Sequence, residues 1–242
     1  MIPDVVGRAM DGEGTPSLVD EFHALYYDRR VQTWGETYWL GHHALKCPLD
    51  LWVYQEILHE VWPDLVIETG TYRGGSTLFL ASICDLLGHG NVVTIDAATQ
   101  KGRPRHKRIT YLTGSSTSEA IVRQVRRRAR GKRRVLVLLD SGHGKNHVLA
   151  EMRAYAPLVT PGSYLIVEDT NLNGHPVDPD HGPGPAEAVA AFLAENDGFV
   201  PDASREKFLL TFNPGGYLKR RESRPQSVFG GLRRALFRRG DE

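Results

Sequence analysis

An excess of charge of one sign is missing from this chain: 30 Lys and Arg stand against 29 Asp and Glu in 242 residues, a formal balance of +1. Near-neutrality removes the general attraction to nucleic acid or acidic membranes that a strongly basic protein has. Cysteine is scarce as well. Cys47 and Cys84 lie far apart with no metal-ligand spacing, which argues against a disulfide framework or a zinc ribbon and fits a reduced compartment. No stretch approaches the roughly 18 apolar residues of a membrane span. The start, MIPDVVGRAMDGEGTPS, lacks a basic segment followed by an apolar run, so the expectation is a cytoplasmic protein, neither secreted nor membrane-spanning. The basic run RQVRRRARGKRR has no interleaved aromatics and reads as a solvated helix face, not a nucleic-acid site.

What is present is room for one α/β domain with decorated ends. The expected division is a flexible start over 1–17, a helical extension over 18–62, a core domain over 63–220 and a basic tail over 221–242. A helical pattern begins at Leu18 and runs to Tyr27; the aromatic segment Trp34 to Trp39 follows. Asp50 then reads as the cap of a helix, LWVYQEILHEVW, whose Leu51, Tyr54, Leu58 and Val61 recur at helical spacing before Pro63 ends it. Four short runs, DLVIE (64–68), NVVTID (91–96), RVLVLLD (134–140) and SYLIVED (163–169), are apolar on both faces, as buried parallel strands are. RITYL (108–112) is a further strand candidate, and helical stretches Ser76–Leu87, Ser118–Arg130 and His147–Ala156 separate the runs. This alternation predicts a doubly wound sheet. The Gly/Pro-dense NLNGHPVDPDHGPGP reads as a lid, Pro185 as the start of a helix to Glu195, and KFLLTF–NPGG–YLKR as a closing hairpin.

The first strand ends in the glycine turn Glu68-Thr69-Gly70-Thr71-Tyr72-Arg73-Gly74-Gly75-Ser76. Such turns let backbone approach a ligand closely, and they also serve nicotinamide dinucleotides. Glu68 discriminates: it would repel a pyrophosphate and attract the ammonium and sulfonium of S-adenosylmethionine. Asp96, 26 residues after Gly70 at the end of the second strand, is placed to accept both ribose hydroxyls. The adenine edge is expected near Ser115 and Ser116. Either acid alone could equally be a solvated strand end or a helix cap.

Asp140 ends one strand and Glu168-Asp169 the next, so three carboxylates converge on the sheet edge where open α/β sheets bind ligands. Three packed carboxylates repel unless protonated or neutralised, and an all-oxygen set suits Mg²⁺, Mn²⁺ or Ca²⁺, with Mg²⁺ favoured. Such an ion would orient an acceptor hydroxyl and lower its pKa. His143, three residues after Asp140, is the candidate general base, against the plainer reading of a hydrogen-bonded structural histidine; His147 reads as packing or outer-layer support.

WVYQEIL before the first strand, VIETGTYRGGS at the turn, LDSGHGKNHVLAEM around Asp140, VEDTNLNGHPV after the fifth strand and GPGPAEAV beyond it form an ordered set. This set resembles the rhamnosyl O-methyltransferase and cephalosporin hydroxylase-like group of class I methyltransferases, over roughly Tyr26 to Leu218. The resemblance implies a Rossmann-like fold, a mostly parallel seven-stranded sheet with an antiparallel C-terminal hairpin strand. It also implies S-adenosylmethionine held at Glu68, Gly70, Ser76 and Asp96, and a metal at Asp140, Glu168 and Asp169. Tyr72 departs from it, standing where many members of the wider superfamily have a glycine. The implied reaction is O-methylation of a deoxysugar hydroxyl on a glycolipid or glycosylated natural product.

On the acceptor side, Trp34, Tyr38, Trp39 and His42 could fold over the opening and stack on a sugar face, or could simply pack the extension on the sheet. His147 and His175 are further candidates for contact with the acceptor. In the tail, Phe229, Leu232 and Leu236 recur at helical spacing among arginines, a pattern for peripheral membrane contact or for a partner subunit in a homo-oligomer. The alternatives are a methyltransferase or tailoring enzyme acting on another small natural product, as the cephalosporin hydroxylase-like part of the resemblance implies, a nicotinamide-dependent oxidoreductase, and a donor fold retained for interaction.

Overall fold

The structure is a computed structural model that describes residues 17–28, 30 and 33–222. The expected flexible start (but for Ser17) and the amphipathic tail beyond residue 222 lie outside the described residues. Ser17 opens α1 (Leu18–Tyr27): its hydroxyl accepts the Asp20 backbone N–H while Asp20 reaches back, a reciprocal cap. A two-residue ribbon, β1 (Tyr38–Trp39) with β2 (His42–His43), leads into α2 (Pro48–Val61). Pro48 starts that helix because a first-turn residue needs no N–H partner, and left-handed Trp62 ends it.

The core elements are β3 (Leu65–Thr69), α3 (Gly75–Leu86), β4 (Asn91–Asp96), β5 (Ile109–Thr113), α4 (Glu119–Ala129), β6 (Val135–Leu139), α5 (Lys145–Tyr155), β7 (Tyr164–Val167), α6 (Pro185–Glu195), β8 (Phe199–Pro201) and β9 (Tyr217–Arg220). They form one seven-stranded sheet in the order β5-β4-β3-β6-β7-β9-β8. The first five of these strands are parallel, and β9 pairs antiparallel with both β7 and β8. Strand alternation sends Ile67, Ile95, Val137 and Val167 to one face, under α4, α5 and α6. Val66, Val92, Leu136 and Ile166 go to the other, under α2 and α3. Both faces are therefore covered, which is why these strands read as continuous apolar runs. The order reverses between β3 and β6, opening the crevice for a ligand at their carboxyl ends. Among the described residues, no helix is long and apolar enough to cross a membrane.

Two local expectations are corrected. Asp50 is not the cap of α2, which starts three residues earlier, with Cys47 as its cap and Pro48 as its first residue. Its buried carboxylate accepts from Thr211 Oγ1 at 2.5 Å, Tyr217 Oη at 2.8 Å and the Phe212 N–H at 2.9 Å. That contact also explains the second correction. KFLLTF is not a strand: its polar groups are spent on Asp50, Leu209 turns at φ 67°, and β9 takes β8 as its hairpin partner instead.

Candidate functional site

One cavity of about 910 Å³ lies at the carboxyl ends of the parallel strands. Gly70, Thr71, Tyr72, Ser76, Asp96, Ser115 and Ser116 line its donor side. Gly70 has φ 88°, and a Cβ there would sit 1.6 Å from the Asp140 carbonyl oxygen. The close approach that demands glycine is thus to the loop after β6. Tyr72 adopts the left-handed conformation itself, at φ 46°, which is how a side chain stands at a glycine position. Its N–H donates to Asp96 Oδ2 at 2.7 Å.

Glu68 stands behind the cavity wall. It is 2 % exposed, and Ser76 Oγ and Thr94 Oγ1 donate to it at 2.7 Å, with Thr77 as a third donor. Burial raises its pKa and the three hydroxyls oppose the rise. Glu68 therefore staples the turn to the start of α3 and reaches a ligand only through Ser76 or through space. Asp96 also accepts from the Ala98 N–H at 2.9 Å, and Arg103 pairs with it at 3.0 Å while bonding the carbonyls of Tyr72 and Ala98. No sequence signal marked Arg103.

Across the crevice, Asp140, His143 and Asp169 present ligand atoms that all lie within 4.8 Å of one another. This mixed nitrogen and oxygen set fits a divalent cation. Glu168 is outside that set. It is 6 % exposed, and the buried ammonium of Lys46 binds it at 2.5 Å and also binds Asp140. The three expected carboxylates do converge, Asp140 and Asp169 grouped with His143 and Glu168 joined to Asp140 through Lys46. Adjacent residues at a strand end point to opposite sides, and left-handed Asp169, at φ 57°, widens the separation.

His143 Nδ1 lies 3.0 Å from Asp169 Oδ2. Burial pulls the imidazole pKa down, but the hydrogen bond and the charges of Asp169 and Asp140 outweigh it and raise it to about 9. The pairing sets the expected base His143 directly against Asp169. His147 lines the cavity, with Nε2 2.9 Å from Ser141 Oγ; the hydrogen bond it donates to fully buried Glu151 raises its pKa.

The rest of the cavity wall is built largely from the extension and the Gly/Pro loop. Trp34 lines the cavity, stacked on Tyr27 at 5.1 Å with its indole N–H on the Tyr27 carbonyl. Tyr38, Trp39 and His42 are not among the lining residues. Tyr38 is exposed and bonded to Glu36, Trp39 packs edge-on against Phe79, and His42 pairs with Trp39 in the ribbon. Its neighbour His43 faces the cavity instead, with a buried Nδ1 that has no partner among the described residues. His175 is likewise turned away, toward Glu187 at 2.9 Å; Leu172, Asp178 and His181 are the loop residues on the wall.

The family model described as rhamnosyl O-methyltransferase/CmcI matches residues 31–221. Proteins named rhamnosyl O-methyltransferase from Mycobacterium tuberculosis and Mycobacterium leprae are each 42% identical to this chain. The first match covers 84% of this chain and 85% of the relative, the second 86% and 92%. A CmcI apo-structure superposes with a TM-score of 0.61 at 22% identity over 78% of each chain. A CmcI structure with Mg and SAM gives 0.60 at 21% over 77% of each. On the breadth of the family match and the identity of these relatives, the chain belongs to the rhamnosyl O-methyltransferase/CmcI family and is an O-methyltransferase.

Proposed function

We propose that the chain methylates a hydroxyl of a rhamnosyl-type deoxysugar carried on a glycolipid or a glycosylated natural product. The observation that carries this reading is that the donor turn and the Asp140–His143–Asp169 cluster open into one cavity. The acceptor class is supported by the two mycobacterial relatives, and the use of Mg²⁺ by the CmcI structure with Mg and SAM.

In this reading Thr71, Tyr72, Ser76, Asp96, Ser115 and Ser116 border the donor, and Asp140, His143 and Asp169 hold Mg²⁺ or another divalent cation. When bound, the cation supplies Lewis-acid chemistry at an acceptor hydroxyl and S-adenosylmethionine supplies the methyl carbon. The chain's own part is chiefly alignment, because holding the hydroxyl in line with the methyl group removes much of the entropic barrier. Trp34 and Tyr27 offer an aromatic wall for a sugar face. Where the cation rests on Asp140 and Asp169 alone, His143 is left beside them as the candidate proton acceptor.

The test is to incubate the full chain with S-adenosylmethionine, Mg²⁺ and a panel of rhamnosides and non-sugar alcohols, reading mass gain. Addition of one methyl group to a rhamnoside is expected. Transfer only to non-sugar hydroxyls would overturn the acceptor class, and full activity in excess chelator would overturn the metal role.

A further inference from the structure

Lys46 arrives at the site from far away in sequence, 94 residues from Asp140 and 122 from Glu168. Its placement is built. Thr37 anchors the segment, its carbonyl taking the Ala44 N–H at 2.9 Å and its hydroxyl the Lys46 N–H at 3.0 Å. Left-handed Leu45, at φ 52°, turns the chain just before Lys46. Buried Cys47 and the start of α2 fix it just after. The result is a lysine only 4 % exposed, with its ammonium on both carboxylates.

A buried ammonium costs several kcal/mol in lost hydration and persists only where opposite charge compensates it. Here the compensating groups are Glu168 and Asp140. Asp140 is also one of the three groups whose ligand atoms converge with those of His143 and Asp169. The same carboxylate therefore answers to two cations. The acids supply the negative charge that draws the ion, and the Lys46 ammonium on Asp140 and Glu168 offsets one unit of it; without the lysine, that unit of attraction would be left for the ion.

We infer that Lys46 is a resident counter-ion that competes with the divalent cation for Asp140, so that it sets how tightly the cation is held while keeping the carboxylates in place. This rests on the proposed metal reading and adds a positioning residue to it. Two unit charges about 5 Å apart interact strongly enough, even at an effective dielectric constant of about 20, to change affinity by well over 10-fold. Solvent and relaxation reduce that, leaving at least about 10-fold as the expected effect.

The experiment titrates MnCl₂ into the chelator-treated full chain by calorimetry, without donor or acceptor, and records thermal midpoints with and without the ion. Lys46→Met should bind Mn²⁺ at least about 10-fold more tightly than wild type and gain more in midpoint on binding. Lys46→Arg, which keeps the charge, should stay within about 3-fold. Equal or weaker binding by Lys46→Met would overturn the inference. If that variant does not fold, the pair Glu168→Gln and Lys46→Met/Glu168→Gln replaces it, since the double variant removes both members of the buried pair. The double variant should bind at least about 10-fold more tightly than Glu168→Gln alone, and no gain overturns the inference. Absence of Mn²⁺ binding in wild type and every variant would overturn the metal reading itself.

Discussion

The two sides of the cavity are held together in different ways. On the donor side, each acid is met by groups from the turn and strands beside it: Glu68 by Ser76, Thr77 and Thr94, and Asp96 by Tyr72, Ala98 and Arg103. Most of these partners are hydroxyls and backbone N–H groups, so the site is neutral in construction and short in sequence range. Across the crevice the partner of Asp140 and Glu168 is charged and distant: Lys46 comes from the extension, and four residues on Asp50 ties α2 to residues 211–217. A pocket of one volume thus has a locally assembled half and a half assembled by the finished fold.

The largest expected effect would separate the halves by function. Asp140→Ala removes a proposed cation ligand but leaves the backbone carbonyl that meets Gly70 untouched. It should lower kcat by about a thousand-fold, corresponding to about 4 kcal/mol of transition-state stabilisation, while calorimetry with S-adenosylmethionine finds donor affinity within about 5-fold. A matching loss of donor affinity would show that the halves do not act separately.

A second measurement asks whether the distant half is the pH-sensitive one. Burial pushes Asp50 up to about 6 from an ordinary 3.8, against the hydrogen bonds from Thr211, Phe212 and Tyr217. Between those values the folded state keeps a proton that the unfolded chain has lost. The stability linked to that proton is complete below the lower value and is lost as pH rises through the higher one. Urea midpoints of wild type and Asp50→Asn, followed from pH 4 to 7, should therefore diverge, with wild type losing up to about 3 kcal/mol relative to the variant. Parallel curves would remove Asp50 as the source.

The smallest effect belongs to the local half. Arg103→Ala frees Asp96 from one of its clamps but leaves the Tyr72 and Ala98 N–H bonds. The donor KM should rise about 5- to 10-fold, roughly 1 kcal/mol, with kcat unchanged. A fall in kcat with unchanged KM would place Arg103 in the acceptor's half.

The same contrast explains what the sequence reveals. The four central parallel strands β3, β4, β6 and β7 and the Gly70 turn are legible because burial on both faces and positive φ leave marks on consecutive residues. Asp140 and Asp169 are legible as acids at strand ends. Lys46 is not, because a single lysine in ALKCPLDLW carries no pattern until the fold brings it to partners 94 and 122 residues away. His42 and His43 show a finer limit. Both are histidines in the same two-residue strand, and only alternation of the backbone decides that His43 faces the cavity. KFLLTF misleads for the converse reason: its composition suits a strand, but Asp50 offers its backbone and hydroxyl groups a competing partner.

The contact between Gly70 and the Asp140 carbonyl has a consequence for how this scaffold can diversify. With no space for even one added carbon between the two loops, neither can be lengthened or reshaped without its counterpart. Natural variation or laboratory redesign aimed at a new acceptor is therefore channelled away from the strand ends. It falls to the segment around Trp34 and to the loop carrying Leu172, Asp178 and His181, which share the wall of the cavity but not that seam.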